Sequence, residues 1–219
     1  MSESSEVNIA IVGATGLVGS EFLKILEGWS VPIKSIHLFA SDRSAGKRLA
    51  FRGEELTVEE TTDDSFHGID LALFSAGADV SERFSPIAAR SGAVVADNSS
   101  AFRMDPQSPL VVPEVNPDDL NGHNGIIANP NCSTIQMVVA LNPLHQVNPV
   151  KSIVVSTYQA VAGTGTVAVD ELNRQIRQVM AGEETSPEVY PYQIAFNVIP
   201  FVDAFLDNGY TVEEWKMVA

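Results

Sequence analysis

The first thirty residues run through a short apolar stretch, a glycine-rich turn and a helical pattern. Residues 7–12 ("VNIAIV") are mostly apolar and β-branched, which is typical of a parallel strand buried on both faces. Glycines recur at positions 13, 16 and 19, and apolar residues then follow at helical spacing. The residues expected on the buried face of this helix are Leu17, Val18, Phe22, Leu23, Ile25 and Leu26. This order predicts a strand, a tight turn and an amphipathic helix.

The same alternation of strands and helices continues along the chain. Further strands are predicted at residues 35–39, 69–74, 93–96 and 152–157, with a helix at residues 81–91. Strands that alternate with helices favour an α/β fold with a Rossmann-type, doubly wound and mostly parallel sheet.

The glycine turn has the composition of a dinucleotide site. Gly13 permits a tight turn, Gly16 lets a pyrophosphate approach the backbone, and Gly19 lets the helix pack closely on the strand. The N-terminus of the helix then faces the phosphate charge. The spacing GxxGxxG is a variant of GxGxxG, and a turn that serves packing alone is the alternative.

The loop after the second strand bears on which dinucleotide binds. About 20 residues past such glycines, the chain meets the adenosine ribose, where a lone acidic residue favours NAD. Here Asp42 is flanked by Ser41, Arg43 and Ser44, and hydroxyls with a guanidinium suit a 2′-phosphate. The sequence therefore favours NADP, with a solvated basic loop as the alternative.

Two later strand ends are expected to complete the cofactor crevice. Ser75, Ala76 and Gly77 follow one predicted strand, and Asn98 follows the next. Ligands of open α/β sheets bind outside the carboxyl ends of the strands, so these residues are predicted to line the crevice.

Composition narrows the function. The 219 residues are 45% hydrophobic, enough for a sizeable core, and the formal net charge is −15 without a Lys/Arg cluster, which disfavours nucleic acid as a partner. A site for an anionic substrate must therefore be built locally. Arg103 in "DNSSAFRM" is a candidate anion clamp, because its planar fork matches phosphate or carboxylate; a surface ion pair with Asp105 is the alternative.

Cys132 is the single cysteine of the sequence, so no internal disulfide or Cys-rich metal site is expected, and a reducing, cytoplasmic compartment is favoured. The start "MSESSEV" does not resemble a signal peptide, and no apolar run approaches the roughly 18–20 residues of a membrane span, so no membrane partner is expected.

Cys132 opens a predicted helix, with Asn131 as its N-cap. The first turn of a helix stabilises a thiolate and offers N–H groups to an oxyanion, which favours a nucleophile. A cysteine that only fills the core is the alternative.

The C-terminal third supplies further polar candidates. Gln159 is expected at a strand end, where it would contact a carbonyl or carboxylate, unless it is an ordinary polar strand end. Gly163 and Gly165 then form a turn before a helix. Thr211 with Glu214 has the spacing of a capping box, followed by about two turns of helix.

Taken in order, these stretches strongly resemble aspartate-semialdehyde dehydrogenase along most of the chain. The stretches are "GATGLVG", "RSAGK", "DNSSAFRM", "VVPEVN", "NPNCST", "VVSTYQAVAGTG", "IAFNVIP" and "EEWKMV". N-acetyl-glutamyl-phosphate reductase shares the general plan and the cysteine, but "RSAGK" and "STYQ" fit it less well.

The resemblance implies a NADP-binding Rossmann domain over residues 1–131 and part of an α+β catalytic and dimerisation domain over residues 132–219. It implies a homodimeric, cytoplasmic oxidoreductase that reduces L-aspartyl-4-phosphate to L-aspartate 4-semialdehyde with NADPH. This NADP-dependent acyl-phosphate dehydrogenase reaction belongs to lysine, threonine and methionine biosynthesis. The partners would be the small-molecule substrates and phosphate.

The resemblance also implies roles for single residues. Cys132 would attack the acyl phosphate to form a thioester, Asn131 would hold the oxyanion, and Gln159 would orient the substrate. The implied substrate-binding residues are Arg103 and Lys216 for phosphate and Glu213 for the amino group. The cofactor residues so implied or expected are Gly13, Thr15, Gly16, Leu17, Val18, Ser41, Arg43, Ser44, Ser75, Ala76, Gly77, Asn98, Gly163 and Gly165. No metal is implied.

The sequence departs from the family at its C-terminal end. The family carries an arginine for the substrate carboxylate and an acid/base histidine beyond "EEWKMV", and Ala219 precedes both. We therefore expect a C-terminally shortened chain, with engineering as one explanation and a non-catalytic nucleotide-binding remnant as the alternative function. The histidines expected to be structural or solvated are His37, His67, His123 and His145.

Overall fold

The N-terminal half forms one seven-stranded sheet in the computed structural model, which describes residues 6–218. The strands are β1 (Val7–Val12), β2 (Ile33–Ala40), β3 (Arg48–Phe51), β4 (Glu54–Glu60), β5 (Leu71–Phe74), β6 (Val94–Asp97) and β7 (Ile126–Ala128). Their spatial order is β3-β4-β2-β1-β5-β6-β7, and only the β3–β4 pair is antiparallel. The chain proceeds outward in both directions from β1, which confirms the predicted doubly wound, mostly parallel sheet.

Five α-helices accompany the sheet and continue beyond it within the described residues. They are α1 (Leu17–Glu27), α2 (Ala78–Arg90), α3 (Cys132–Val147), α4 (Thr166–Ala181) and α5 (Val212–Val218). Short 3₁₀ turns lie at Asp42–Ser44, Pro117–Gly122 and Val161–Thr164. Among residues 6–218, no helix is long and apolar enough to cross a membrane.

Strand β1 lies at the centre of the core, because its side chains pack into the apolar clusters on both faces of the sheet. Ile9 and Ile11 pack with Leu23 of α1 on one face, whereas Ala10 and Val12 belong to the cluster on the other face. Successive strand residues point to opposite faces, so a strand covered on both sides must be apolar throughout its centre. The prediction for residues 7–12 is confirmed.

Helix α1 buries a narrower stripe than the sequence suggests. Gly19, Leu23 and Leu26 are its buried residues, whereas Ile25 is 67% exposed and Val18 is 38% exposed. The prediction that Val18 and Ile25 are buried is wrong. The buried positions repeat at i, i+4 and i+7, and each of these two residues is rotated by about 100° from that stripe.

The remaining predicted strands before residue 131 are confirmed, with shifted ends. The strand predicted at residues 35–39 lies within β2, the one predicted at 69–74 becomes β5, and the one at 93–96 becomes β6. The helix predicted from residue 81 begins at Ala78, directly after Gly77, whose φ of 92° ends the preceding turn.

The chain divides into two compact units, the first ending at Pro143 and the second beginning at Leu144. In the second unit, α4 fixes an irregular segment through two buried side chains. Glu171 accepts the backbone N–H groups of Glu188 and Val189, and Gln175 accepts those of Ile194 and Ala195. Helix α4 thereby supplies the hydrogen bonds that this segment would otherwise find in a sheet.

The strand predicted at residues 152–157 is wrong. Residues 151–160 lie in neither strand nor helix, and Val154 is 99% exposed. The described residues of the second unit contain no β-strand. A β-branched run becomes a strand only where a second strand pairs with its backbone, so propensity alone does not determine this segment.

Candidate active site

The glycine turn joins β1, α1 and the end of β5 at one point. Gly13 has φ +89°, and a Cβ there would lie 2.4 Å from the carbonyl oxygen of Ser75. A Cβ on Gly19 would lie 2.3 Å from the carbonyl oxygen of Gly13, so α1 approaches the turn too closely for any side chain. Gly16 is the N-cap of α1, directly ahead of Leu17. The predicted turn and close packing are confirmed, and the contact with a pyrophosphate stays a prediction.

The loop after β2 lies against this turn. Thr15 and Ser44 are joined by a hydroxyl–hydroxyl hydrogen bond of 3.3 Å. Ser41 and Arg43 are exposed beside Ser44, while the Asp42 carboxylate accepts the backbone N–H of Arg43 at 2.7 Å. The structure therefore brings the predicted pyrophosphate and ribose-phosphate residues together on one surface of the first unit.

The ends of β5 and β6 are linked in the same way. Ser75 and Ala76 follow β5, and Gly77 is the N-cap of α2. Asn98 follows β6, and its Nδ2 donates to the Ser75 hydroxyl at 3.4 Å. This places the four predicted crevice residues at the carboxyl edge of the sheet, where ligands of such folds bind.

Asp97, the last residue of β6, is a fully buried carboxylate beneath this edge. It accepts hydrogen bonds from the Ser81 hydroxyl at 2.9 Å, the Ser99 backbone N–H at 2.9 Å and the Ser99 hydroxyl at 2.8 Å. A buried carboxylate requires such donors, and they fix the course of the loop that carries Asn98 and Arg103. The run "DNSS" was the signal for this turn, because Asp and Ser side chains bond to nearby backbone.

Arg103 is held by backbone carbonyls of two loops. Its Nε donates to the carbonyl oxygen of Asn129 at 2.9 Å, and an Nη donates to that of Asn98 at 3.0 Å. The Asp105 carboxylate accepts the backbone N–H of Gln107 at 2.9 Å. The bonds to Asn129 and Asn98 set the plane of the guanidinium, as a planar anion clamp requires, and anion binding by Arg103 stays a prediction.

Cys132 is the first residue of α3, and its side chain is exposed. The alternative that it fills the core is therefore wrong. Asn131 is buried, and its Oδ1 accepts the backbone N–H groups of Ser133 at 3.0 Å and Thr134 at 3.2 Å, which confirms it as the N-cap. An exposed thiol at a capped helix start has the setting expected of a nucleophile.

In the second unit, three predicted residues come together with a fourth. Gln159 Nε2 donates to Glu213 Oε1 at 3.1 Å, and Glu213 Oε2 lies 3.4 Å from Lys216 Nζ. Asp203 Oδ2 accepts from Lys216 Nζ at 3.2 Å. Sequence reasoning missed Asp203, since only the folded chain brings it to Lys216; its φ of 68° is rare for a non-glycine residue.

The capping box at the start of α5 is confirmed. The Thr211 backbone N–H donates to Glu214 Oε2 at 2.7 Å, and the Glu214 backbone N–H donates to Thr211 Oγ1 at 3.2 Å. The hydrogen bond from the Thr211 backbone, followed by that from its hydroxyl, lowers the pKa of Glu214 below its ordinary value. The box fixes the helix turn that carries Glu213 and Lys216.

The predicted turn before α4 is also confirmed. Gly163 lies in the 3₁₀ turn Val161–Thr164, and Gly165, with φ +101°, is the N-cap of α4. A cofactor contact for either glycine stays a prediction.

The four histidines have structural or solvated surroundings, as predicted. His37 stacks on Phe39, and His67 is highly exposed. The Nδ1 atoms of His123 and His145 accept backbone N–H groups two and five residues further along, at 3.0 and 3.1 Å.

A cavity of about 320 Å³ opens beside α4 in the second unit. Its lining comprises Val167, Asp170, Glu171, Arg174, Glu188 and Val189. None of these is a predicted site residue, and the three carboxylates among them do not suit an anionic substrate.

Comparison with known proteins identifies two matching family models. "Semialdehyde dehydrogenase, NAD binding domain" matches residues 8–123, which is more than half of the chain, and "Semialdehyde dehydrogenase, dimerisation domain" matches residues 141–219. The aspartate-semialdehyde dehydrogenase of Bacillus subtilis is 53% identical over an alignment of 219 positions, which covers 97% of this chain and 63% of the relative. The chain thus spans about 63% of the length of that curated relative.

Solved structures agree with this match. Aspartate semialdehyde dehydrogenase II from Vibrio cholerae, complexed with ASA, has a TM-score of 0.94 at 46% identity and covers 98% of this chain and 65% of its own. The enzyme from Candida albicans, with NADP, has a TM-score of 0.58 at 28% identity over 66% of this chain and 48% of its own. The resemblance drawn from the sequence is confirmed, and it is favoured over the likeness to N-acetyl-glutamyl-phosphate reductase.

Proposed function

Because the chain belongs to the semialdehyde dehydrogenase family, we propose that it serves the NADPH-dependent reduction of L-aspartyl-4-phosphate to L-aspartate 4-semialdehyde. One observation carries this proposal: an exposed Cys132 opens α3 behind an Asn131 cap, and the carbonyl of Asn129 in the same loop holds Arg103. A nucleophile and an anion clamp on connected backbone are what acyl-phosphate chemistry needs.

The chemistry begins at Cys132. Its thiolate attacks the acyl carbon, a C–S bond forms, and the C–O bond to phosphate breaks, so that phosphate leaves with the electron pair. A reduced dinucleotide bound at the glycine turn would supply the hydride that reduces the resulting thioester. Collapse of the reduced adduct breaks the C–S bond, which releases the aldehyde and regenerates the thiolate at Cys132.

Two donors near Cys132 are assigned to the charge that develops on the acyl oxygen. One is the backbone N–H of Cys132, the first residue of α3, since the N–H groups of Ser133 and Thr134 donate to the Asn131 cap; the other is the Nδ2 amide of Asn131. Since the Oδ1 of Asn131 accepts two cap bonds, the amide plane is fixed before substrate binds. Fixed donors stabilise a developing oxyanion without reorganisation.

Arg103 binds the departing phosphate in this proposal, because its guanidinium plane is already set by two carbonyl acceptors. Gln159, Glu213 and Lys216 are assigned to the substrate as the resemblance to the family implies. Glu213 supplies a carboxylate for the amino group, Gln159 orients the substrate, and Lys216 adds positive charge for phosphate.

The cofactor is proposed to be NADP rather than NAD. Gly16, which has no side chain, caps α1, so the first turn of the helix is open to a pyrophosphate. Thr15, Leu17 and Val18 flank Gly16 in the sequence and are assigned to the same pyrophosphate. Ser41, Arg43 and Ser44 supply hydroxyls and a guanidinium for the 2′-phosphate, and the Asp42 carboxylate is engaged with backbone. The similar Candida albicans structure was solved with NADP.

We also propose a homodimeric assembly and a cytoplasmic location. The match of residues 141–219 to a dimerisation domain supports a homodimer. The relatives' activity as aspartate-semialdehyde dehydrogenases supports a place in the cytoplasm and in the biosynthesis of aspartate-family amino acids. We also propose that the domain boundary lies at residues 131 and 132, immediately ahead of the nucleophile.

The test is phosphate-dependent formation of NADPH from aspartate semialdehyde, followed by the absorbance of the reduced nicotinamide. Turnover that is lost in Cys132→Ser while NADPH binding persists supports the proposal. If the unaltered chain binds NADPH but shows no phosphate-dependent turnover, the alternative of a non-catalytic nucleotide-binding protein is correct. Equal turnover in Cys132→Ala, which has no nucleophilic atom in its side chain, would show that another group is the nucleophile.

A further inference from the structure

Asn129 makes three hydrogen bonds to residues at the end of β6 and in the loop that follows it. Its backbone N–H donates to the Asp97 carbonyl at 2.8 Å, and its Nδ2 donates to Asn98 Oδ1 at 2.7 Å. Its carbonyl oxygen accepts from Arg103 Nε at 2.9 Å. Asn129, in the loop that leads into Cys132, is thus bonded to Asp97 at the end of β6, to Asn98 in the predicted crevice and to Arg103.

Asn98 is the second half of this arrangement. Its backbone N–H donates to the Phe74 carbonyl at 2.9 Å, which attaches it to β5. Its carbonyl accepts from Arg103 at 3.0 Å, and its amide reaches Ser75 at 3.4 Å. The Arg103 guanidinium thus donates to the carbonyls of both Asn98 and Asn129, and the side chains of these two residues are bonded to each other.

The hydrogen bonds that link Asn129 to Asn98 and Asn98 to Ser75 differ in length. The Asn129–Asn98 bond at 2.7 Å is short, whereas the Asn98–Ser75 bond at 3.4 Å lies at the long limit for a hydrogen bond. Asp97 holds the backbone beneath them with three donors to its buried carboxylate. The Asn98–Ser75 end is therefore the part that a ligand in the crevice can still order.

We propose that Asn129 is a positioning residue that couples dinucleotide binding in the crevice to anion binding at Arg103. This rests on the proposed function, which places the dinucleotide at Ser75 and Asn98 and phosphate at Arg103. A dinucleotide that orders Asn98 also orders the bonded amide of Asn129. The carbonyls of Asn98 and Asn129, which hold the guanidinium, are then fixed in one arrangement. Anion binding at Arg103 therefore no longer includes the entropy cost of ordering them. The coupling is reciprocal, because both ligands favour the same ordered state.

The test measures inorganic phosphate and NADP⁺ binding by calorimetry, each alone and each in the presence of the other. In the unaltered chain, we expect each ligand to raise the affinity for the other by about fivefold or more. Asn129→Ala keeps the backbone carbonyl and N–H but removes the amide, and it should bring this factor close to one. Its affinity for NADP⁺ alone should change by no more than about twofold, since Asn98 keeps its bond to Ser75.

Two further variants make the result specific. Asn121→Ala is the matched control, because the Asn121 amide also makes one hydrogen bond, to the Asp118 carbonyl, but lies at an exposed site. It should retain the coupling. Arg103→Ala should abolish the phosphate binding that NADP⁺ strengthens in the unaltered chain. If Asn129→Ala does not fold, the nearly isosteric Asn129→Asp carries the test, since it sets an acceptor against Asn98 Oδ1 and should also remove the coupling.

Persistence of the full coupling in a folded Asn129 variant would overturn the inference, and so would the absence of coupling in an unaltered chain that binds both ligands. A purely structural role would lower the thermal midpoint and weaken both ligands while leaving their coupling intact. An unaltered chain that binds neither ligand would instead refute the proposed function.

Discussion

Arg103 donates from Nε to the main-chain carbonyl of Asn129 over 2.9 Å, three residues before Cys132. The contact is made to backbone, so it survives any change of the Asn129 side chain. It ties the guanidinium to the loop that leads directly into α3, and both groups lie in the first unit. Anion recognition and nucleophile placement thereby share one backbone segment.

Replacement of Arg103 by lysine should weaken phosphate binding even though the charge is kept. An ammonium cannot reproduce the fork that bonds two carbonyls and an anion together, and one charged hydrogen bond contributes about 1.5–3 kcal/mol, or roughly 10–100-fold in affinity. Calorimetry with inorganic phosphate measures the effect. Met104→Ala, at a neighbouring side chain that is 77% exposed, is the control. Wild-type affinity in Arg103→Lys would show that the fork does not bind phosphate.

Replacement of Asn131 separates two roles of one side chain. Asn131→Ala removes the cap and should lower the free energy of unfolding by about 1 kcal/mol, as seen on chemical denaturation. Asn131→Asp keeps the accepting oxygen and hence the stability, but it replaces the amide donor by a carboxylate. In a chain that turns over, Asn131→Asp should lower kcat by about 10²–10³-fold. A stable Asn131→Asp protein with unchanged kcat would eliminate the oxyanion role.

The local sequence pattern was sufficient to predict those features whose hydrogen-bonding and packing partners lie within a few residues along the chain. The β1–turn–α1 unit, the Asn131 cap and the Thr211–Glu214 box were all predictable, because each bond spans only a few residues. Residues 152–157 were mispredicted because a strand depends on a partner that local sequence does not encode.

The candidate site was predictable as a list of residues, but its connections were not. The bonds between Asn98 and Asn129 and between Asp203 and Lys216 join residues 31 and 13 positions apart. A residue that acts through tertiary hydrogen bonds leaves no periodic signal, which is why Asp203 and the bridging role of Asn129 emerge only from the fold.

Gly19→Ala should destabilise the first unit. The added Cβ would lie 2.3 Å from the carbonyl oxygen of Gly13 and 2.7 Å from the Cα of Ala14, so backbone must move. Overpacking of this kind costs about 1–3 kcal/mol, measurable as a lower denaturation midpoint. Gly28→Ala is the matched control at the other end of α1, since its nearest neighbour would be 3.9 Å away. Equal midpoints for the two variants would contradict the steric account.

The capping box should make stability depend on pH in the acidic range. Hydrogen bonds from Thr211 lower the pKa of Glu214 in the folded chain, so its contribution is present above the unfolded-state pKa and is lost as pH falls through the lowered value. Glu214→Gln keeps the geometry without the charge, and its stability should therefore depend less on pH there. Thermal unfolding across acidic pH tests this, and parallel pH profiles for the two proteins would refute it.

The close approach of Gly13 and Gly19 limits how this turn can change in other sequences. The atoms that exclude a Cβ at these two positions include the backbone oxygens of Ser75 and Gly13 and backbone atoms of Ala14. No compensating side-chain substitution elsewhere can create that space, because the obstacle has no side chain to shorten. A saturation library should therefore recover second-site suppressors for ordinary core defects but none for these two glycines, short of rerouting the main chain.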